Sequence, residues 1–330
     1  MSATSTFKMA AIQAAPVLFD KSASTEKACN LIAEAGKRGV DIAAFGECWL
    51  PGYPFWVDGP VIDLTWEVSA VFLENAVELD GPEVAALCEA AAGANVDVMI
   101  GVAERDPHTQ GTAYATALTV GREGVVLNRH RKLKPTHAER IIWGDGDGAG
   151  LNVIDRDYGR ISALNCWEHQ MMLPGYALAA QGTQIHAALW PGWEKEPRPS
   201  EYCWARQHLL SRAFASQAGA YVVCAAGVRL EEHIPDKWKP FGVWEHPGKS
   251  AIIDPRGEII AEAGVGEDML IAEGSLDMVR AAKSACDIAG HYSRPDVFDF
   301  RVNMTPAGAR VQRVSELTDG VLSGSLDEEE

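Results

Sequence analysis

Short apolar runs alternate along this chain with longer stretches whose apolar residues recur at helical spacing, and that alternation is the pattern of a layered α/β protein. FKMAAIQAA (7–15) reads as a strand, STEKACNLIAEAGKRG (24–39) as an amphipathic helix closed by glycine, and VDIAAFGE (40–47) as a second strand. The proline- and aromatic-rich PGYPFW (51–56) follows, then a helical stretch near 63–79 and the helix GPEVAALCEAAAGAN (81–95), whose proline falls where a first turn tolerates it. VDVMIGVAE, TAYATALTV and GVVLNRHRKL are strands, the last two joined by a hairpin turn at Gly121 to Gly124. WGDGDGAG (143–150) interrupts the pattern, which then resumes: strand RISALNC, a helix over 170–181, strand TQIHAALW, a helix within SEYCWARQHLLSRAFASQAG and strand AYVVCAAG. A late hairpin, KSAIIDPRGEIIAEAG, carries Pro255 and Gly257 in its turn. The expected fold is a single α/β domain over 1–300 made of two stacked sheets with helices outside. Residues 301–330, polar, aperiodic and ending in LDEEE, form an arm that is extended or disordered or serves assembly contacts.

A chain of 330 residues, 47% hydrophobic, can enclose a deep, water-excluding site. Its formal net charge of -17 repels phosphate backbones and anionic lipid, so nucleic acid and membrane surfaces are excluded as partners and a small neutral substrate is favoured. Seven cysteines, without a C-x-x-C pair, point to free thiols in a reducing compartment. The opening MSATSTFKMAAIQAAP lacks the regions of a signal peptide, and no apolar run reaches bilayer length, so a cytoplasmic location is expected.

In SALNCWEHQMM (162–172) a small-residue strand delivers Cys166 to its carboxyl end, where ligand crevices form in open α/β sheets. A cysteine is more often a small buried hydrophobe. A nucleophilic thiol needs a partner that takes its proton or lowers its pKa. Glu47 closes the strand VDIAAFGE among Phe45, Trp49 and Tyr53, where an unpaired carboxylate is costly to bury, although a lone strand-end glutamate is commonly solvated. In GVVLNRHRKLKP, alternation puts Val126, Asn128, His130 and Lys132 on one face. Lys132 can thus turn inward; Lys134, on the same face, competes with it, and a basic run of this kind also reads as a solvated surface. No dinucleotide glycine fingerprint, P-loop or zinc spacing is present, and His130, His137 and His169 are scattered over different elements.

FGECWLPGYPFW, HRKLKPTHAER and NCWEH, in that order, resemble the glutamate, lysine and cysteine motifs of the nitrilase superfamily, its true nitrilase branch above all, over about Lys8 to His291. The resemblance implies an α-β-β-α sandwich with Cys166 as nucleophile, Glu47 as general base, Lys132 as stabiliser of the charged intermediate and Glu139, in THAER, as a second glutamate beside them. It implies a nitrile split to acid and ammonia with no metal or organic cofactor, and self-association into dimers, in some members spiral filaments. An amidase, a carbamoylase or a cyanide-specific hydrolase could use the same residues; a non-catalytic assembly protein would be expected to have lost at least one. The backbone N–H of Trp167 is a further donor to the anion. Trp49, Tyr53, Trp167, Trp190 and Trp193 cluster at strand ends and suggest an aromatic or arylaliphatic nitrile, Trp190 leading because it ends the strand after the nucleophile. His169 either tunes the site or is a hydrogen-bonded structural histidine. QMMLPGY departs from the Pro-Leu pair common after the histidine in nitrilases, which bears on substrate size.

Overall fold

The computed structural model describes residues 6–58, 65–193, 206–242 and 245–307. Strand β1 (Thr6–Gln13) leads into helix α1 (Lys21–Lys37), started by Asp20, whose side chain accepts from the Ala23 N–H at 2.9 Å. After β2 (Ile42–Phe45) come α2 (Thr65–Glu74) and α3 (Pro82–Ala94), the latter ended by Asn95 in the left-handed conformation. Strands β3 (Asp97–Arg105), β4 (Ala113–Val120) and β5 (Val126–Arg131) then run as an antiparallel meander.

The second half holds β6 (Ile154–Arg156), β7 (Gly159–Asn165), α4 (Met172–Ala180), β8 (Ile185–Trp190), α5 (Arg206–Ala218) and β9 (Tyr221–Ala226). A two-stranded ribbon pairs β10 (Val228–Arg229) with β11 (His246–Pro247). The late hairpin is β12 (Ala251–Ile253) and β13 (Ile259–Glu262), followed by β14 (Asp268–Ser275) and α6 (Leu276–Ala285). The last two elements were not foreseen from the sequence.

Two six-stranded mixed sheets result, ordered β14-β1-β2-β3-β4-β5 and β13-β12-β9-β8-β7-β6. Strand alternation divides the core into layers. Phe7, Met9 and Ala11 of β1 and Ile42 and Ala44 of β2 face Ile185, Ala187 and Leu189 of β8 and Val223 and Ala225 of β9 between the sheets. Ala10, Ile12, Ala43 and Phe45 face outward into a layer shared with Ala28, Ile32 and Leu87 of α1 and α3. On the other outer side Ala188, Val222 and Cys224 meet Leu178 of α4 and Leu210 and Phe214 of α5. Helices therefore cover both outer faces, giving the expected α-β-β-α sandwich. Among the described residues no helix is long and apolar enough to cross a membrane.

The glycine-rich stretch after β5 lies flat on that strand: a side chain at Gly146 or Gly150 would collide with the carbonyls of Arg131 or Arg129. From Phe300 the described chain runs without regular structure over the body, its ring edge-on to Tyr176 at 4.9 Å and the Ala307 N–H 2.8 Å from Asp147 Oδ2. The rest of the expected arm, 308–330, lies outside the described residues, as do 63–64 and 200–205 of the expected helices.

Candidate active site

Glu47 is delivered by β2 through Gly46, a position with no room for a side chain: a Cβ there would lie 2.5 Å from the Gly227 nitrogen and 2.6 Å from the Trp190 oxygen. The backbones meet because the Trp190 carbonyl accepts two N–H groups, from Glu47 and from Gly227, each at 3.0 Å. That junction joins the first sheet to the second at the residue carrying the acid. The Glu47 side chain is buried; its Oε1 accepts from Lys132 at 2.8 Å, while Oε2 has no hydrogen-bond partner among the described residues. Burial raises its proton affinity more than the nearby Lys132 ammonium lowers it, and the carboxyl is pushed up to about 8.

Lys132 follows β5 directly, its backbone N–H donating to the Ala115 carbonyl at 2.7 Å. Its ammonium is fully buried between Glu47 Oε1 and Glu139 Oε2, at 2.8 and 2.7 Å. Burial alone would strip its proton, but Glu139 and Glu47 outweigh it and hold the pKa well above the usual lysine value. Lys134, the competing lysine, is exposed and pairs with Asp145 at 2.7 Å. Of the face expected to turn inward, His130 and Lys132 are buried, Asn128 is half-buried and Val126 is exposed.

Glu139 sits third in the one-turn helix His137–Ile141, where its carboxylate turns back to accept the Thr136 N–H at 2.7 Å. Tyr53 donates its hydroxyl to the other oxygen at 2.6 Å. Burial, then Glu139, raises the phenol well above its usual pKa, so Tyr53 stays a donor. Expected as a substrate contact, Tyr53 thus commits its hydroxyl to Glu139, and its ring meets Trp143 and His246, each at 5.7 Å.

Cys166 follows β7 with φ +45, a left-handed backbone that costs a non-glycine residue on the order of 1 kcal/mol. Its thiol is buried. Burial and the Glu47 charge push the thiol pKa well up, Lys132 and the Trp167 N–H pull it down, and the upward pull wins. A thiol held protonated needs a base to attack, and Glu47 is the charged group that acts on it most strongly.

Glu168, two residues on, was not singled out from the sequence. It is buried and accepts the Asn165 N–H and the Leu133 N–H, both at 2.9 Å, and lies 3.0 Å from His130 through each oxygen. Burial resists its ionisation, but His130 and the two backbone donors prevail and hold it below the usual carboxylate range. The signal for it was present: Asn165 followed three positions later by glutamate is a helix-start pattern, and the one-turn helix Cys166–Gln170 begins there.

The expected aromatic lining divides. The Trp167 ring is 37% exposed with the Arg206 guanidinium 4.5 Å above it. Trp49 lies in the outer layer under α1 and α3, its indole N–H on the Ala14 carbonyl at 2.7 Å. Trp193 is half-buried, its ring 5.2 Å from that of His208. The Trp190 ring, the leading candidate, points away from the inter-sheet face: it is buried toward α5, with its indole N–H on Ser211 at 3.1 Å, and stacks on His169 at 5.5 Å. Its carbonyl, not its ring, reaches Glu47. Trp143, absent from the expected set, is buried with its ring centre 5.7 Å from the Lys132 ammonium. His169 is half-buried against the Cys166 carbonyl.

Residues 8–284 match the model of the carbon-nitrogen hydrolase family. A curated protein called nitrilase 2, from an unknown prokaryotic organism, is 50% identical over 93% of this chain and 96% of its own. An aliphatic nitrilase of Rhodococcus rhodochrous is 36% identical over 98% and 91%, and an arylacetonitrilase of Aspergillus kawachii 33% identical over 89% and 91%. Among solved structures, Nit3 of Saccharomyces cerevisiae, described as a member of branch 10 of the nitrilase superfamily, superposes with a TM-score of 0.69 at 21% identity, covering 87% of this chain and 96% of that one. Motifs, sandwich and relatives agree: this chain belongs to the carbon-nitrogen hydrolase family.

Proposed function

We propose that this protein is a nitrilase that hydrolyses an organic nitrile to the carboxylic acid and ammonia with Cys166 as nucleophile. The observation that carries this reading is the buried Lys132 ammonium held between Glu47 and Glu139, with the second oxygen of Glu47 left without a partner among the described residues. That free, proton-hungry oxygen suits a base that removes the thiol proton as sulfur bonds to the nitrile carbon. Negative charge then grows on nitrogen, where the ammonium and the Trp167 N–H are suited to receive it. The proton taken from the thiol passes from Glu47 to that nitrogen, which frees the carboxylate again and gives a thioimidate. Water, deprotonated by Glu47, adds to its carbon; ammonia departs with the proton returned and leaves a thioester. A second water releases the acid and restores the thiol. Glu139 and Tyr53 keep the ammonium in place.

Three relatives named for nitrile hydrolysis, at 33% to 50% identity over most of the chain, support a nitrile over an amide. We assign an aromatic or arylaliphatic substrate on the rings that border the site, Tyr53 on Glu139 and Trp143 beside Lys132. Self-association is supported by Met172, Leu173 and Leu209, apolar and 81%, 66% and 63% exposed on α4 and α5. Free thiols and acidic charge support a cytoplasmic location. The test is ammonia release from benzonitrile and phenylacetonitrile against the matching amides, with mass measurement of the adduct on Cys166. Nitrile turnover, lost in Cys166→Ala with the fold retained, is the expected result; activity confined to amides overturns it.

A further inference from the structure

On the side of the second sheet that faces α4 and α5 runs a string of polar side chains that the steps above do not use. His169 Nδ1 lies 2.7 Å from the Cys166 carbonyl oxygen, and its Nε2 lies 3.0 Å from Nε2 of His186. His186 Nδ1 is 2.8 Å from the Ser162 hydroxyl, itself 2.7 Å from that of Thr183. His186, Ser162 and Thr183 are fully buried, and Phe214 stacks on His186 at 4.0 Å.

The direction of every bond follows from the first. A carbonyl oxygen only accepts, so His169 carries its proton on Nδ1. Burial lowers the basicity of both imidazoles, to about 4 for His169 and well below the usual value for His186, so each ring has one N–H. Nε2 of His169 is then an acceptor, and His186 must donate to it from its own Nε2. That leaves His186 Nδ1 to accept from Ser162, whose oxygen accepts from Thr183. The string is one-way and ends on the Cys166 carbonyl.

That carbonyl shares a trans peptide unit with the Trp167 N–H, which acts on the Cys166 thiol to lower its pKa. In a planar unit, fixing the oxygen fixes the direction of the hydrogen on the opposite edge. Donation into the oxygen also polarises the amide and strengthens its N–H as a donor. Cys166, at φ +45, adopts a backbone that persists only when its surroundings hold it.

We propose that His169 is a positioning residue which, backed by His186, Ser162 and Thr183, aims and polarises the Trp167 N–H toward the atom that gains negative charge when Cys166 attacks. It rests on the reading of Cys166 as nucleophile.

Two reactions of the full-length protein separate the N–H donor from the sulfur. Iodoacetamide alkylates Cys166 by forming a C–S bond as iodide departs with the negative charge and the thiol proton is lost to a base, so no anion builds on an oxygen or nitrogen that stays attached to the electrophile. Phenylacetaldehyde adds reversibly: sulfur bonds to the carbonyl carbon, the C=O π bond opens onto oxygen, which takes the negative charge, and the thiol proton passes to Glu47. His169→Leu is expected to weaken aldehyde binding about tenfold or more, with alkylation within about threefold of wild type. His169→Asn, which keeps an N–H where Nδ1 stands, restores aldehyde binding. Parallel losses in both reactions, loss in neither, failure of asparagine to restore binding, or no adduct on the wild-type protein overturns the inference. If His169→Leu does not fold, His186→Leu carries the same comparison, because it removes the donor to His169 Nε2. Failure of the nitrile reading shows elsewhere, as absent ammonia release from nitriles by a wild-type protein that still displays the aldehyde contrast.

Discussion

His130 and Glu168 meet in the protein interior with the imidazole Nε2 3.0 Å from each carboxylate oxygen. The same two oxygens take the N–H groups of Leu133 and Asn165, the residues next to Lys132 and Cys166. One carboxylate therefore spans the ends of β5 and β7, which belong to different sheets.

Removing that carboxylate leaves two backbone donors and a histidine buried without their acceptor. Glu168→Ala is expected to cost several kcal/mol in urea unfolding, at about 1–3 kcal/mol for each buried donor left without its acceptor. The sign with pH follows from its depressed pKa: its contribution is present above the ordinary carboxylate value and is lost as pH falls through the lower folded one. The gap between wild type and variant closes in acid.

Lys132 and Lys134 are two residues apart and opposite in environment. Lys132→Met removes the cation between two buried carboxylates and is expected to lower kcat by about 10²–10³-fold or more. Lys134→Met breaks only an exposed pair with Asp145, worth at most about 1 kcal/mol, and leaves steady-state turnover within about twofold. Equal effects in the two variants would reverse the assignment.

Because burial lifts Glu47 from 4.5 to about 8, the fold favours its protonated form. The stability this contributes is complete below the ordinary carboxylate value and fades as pH rises through about 8. Glu47→Gln, which cannot ionise, is expected to melt above wild type by a margin that widens from about pH 5 to about pH 9. The variant is inactive, and wild-type kcat/KM has an acidic limb with its midpoint well above 4.5. A limb at the ordinary carboxylate value, or a margin flat with pH, contradicts Glu47 as the raised base.

Gly46→Ala forces a methyl group against the backbone of Gly227 and the Trp190 carbonyl. Overpacking of this kind costs about 1–3 kcal/mol, read as a lower midpoint in denaturant. Because the adjoining residue is Glu47, kcat falls in the same variant by more than the loss of folded protein accounts for.

The layering was legible because strand and helix periods differ, and Lys132 and Cys166 follow directly on the strands that deliver them, with Glu47 one residue beyond the end of its own. Strand β14 was not. It pairs with all of β1, from Thr6 opposite Ser275 to Gln13 opposite Asp268, yet as an edge strand it is mostly half-exposed and lacks a clean alternation. Trp190 stands at the expected strand end, and alternation along β8 sends Leu189 between the sheets and Trp190 toward α5, into the cluster that also holds Cys166. Glu168 escaped because a buried carboxylate is justified only by partners, and His130 and Leu133 come from β5 and the residues after it, more than thirty positions earlier.

Glu47, Lys132 and Glu139 hang from the first sheet and Cys166 from the second. On the proposed mechanism, turnover is thus a gauge of registry between the two layers. A slip of a fraction of an ångström parts proton acceptor from sulfur while every strand remains intact. During gradual heating, activity is expected to decay ahead of the circular dichroism signal.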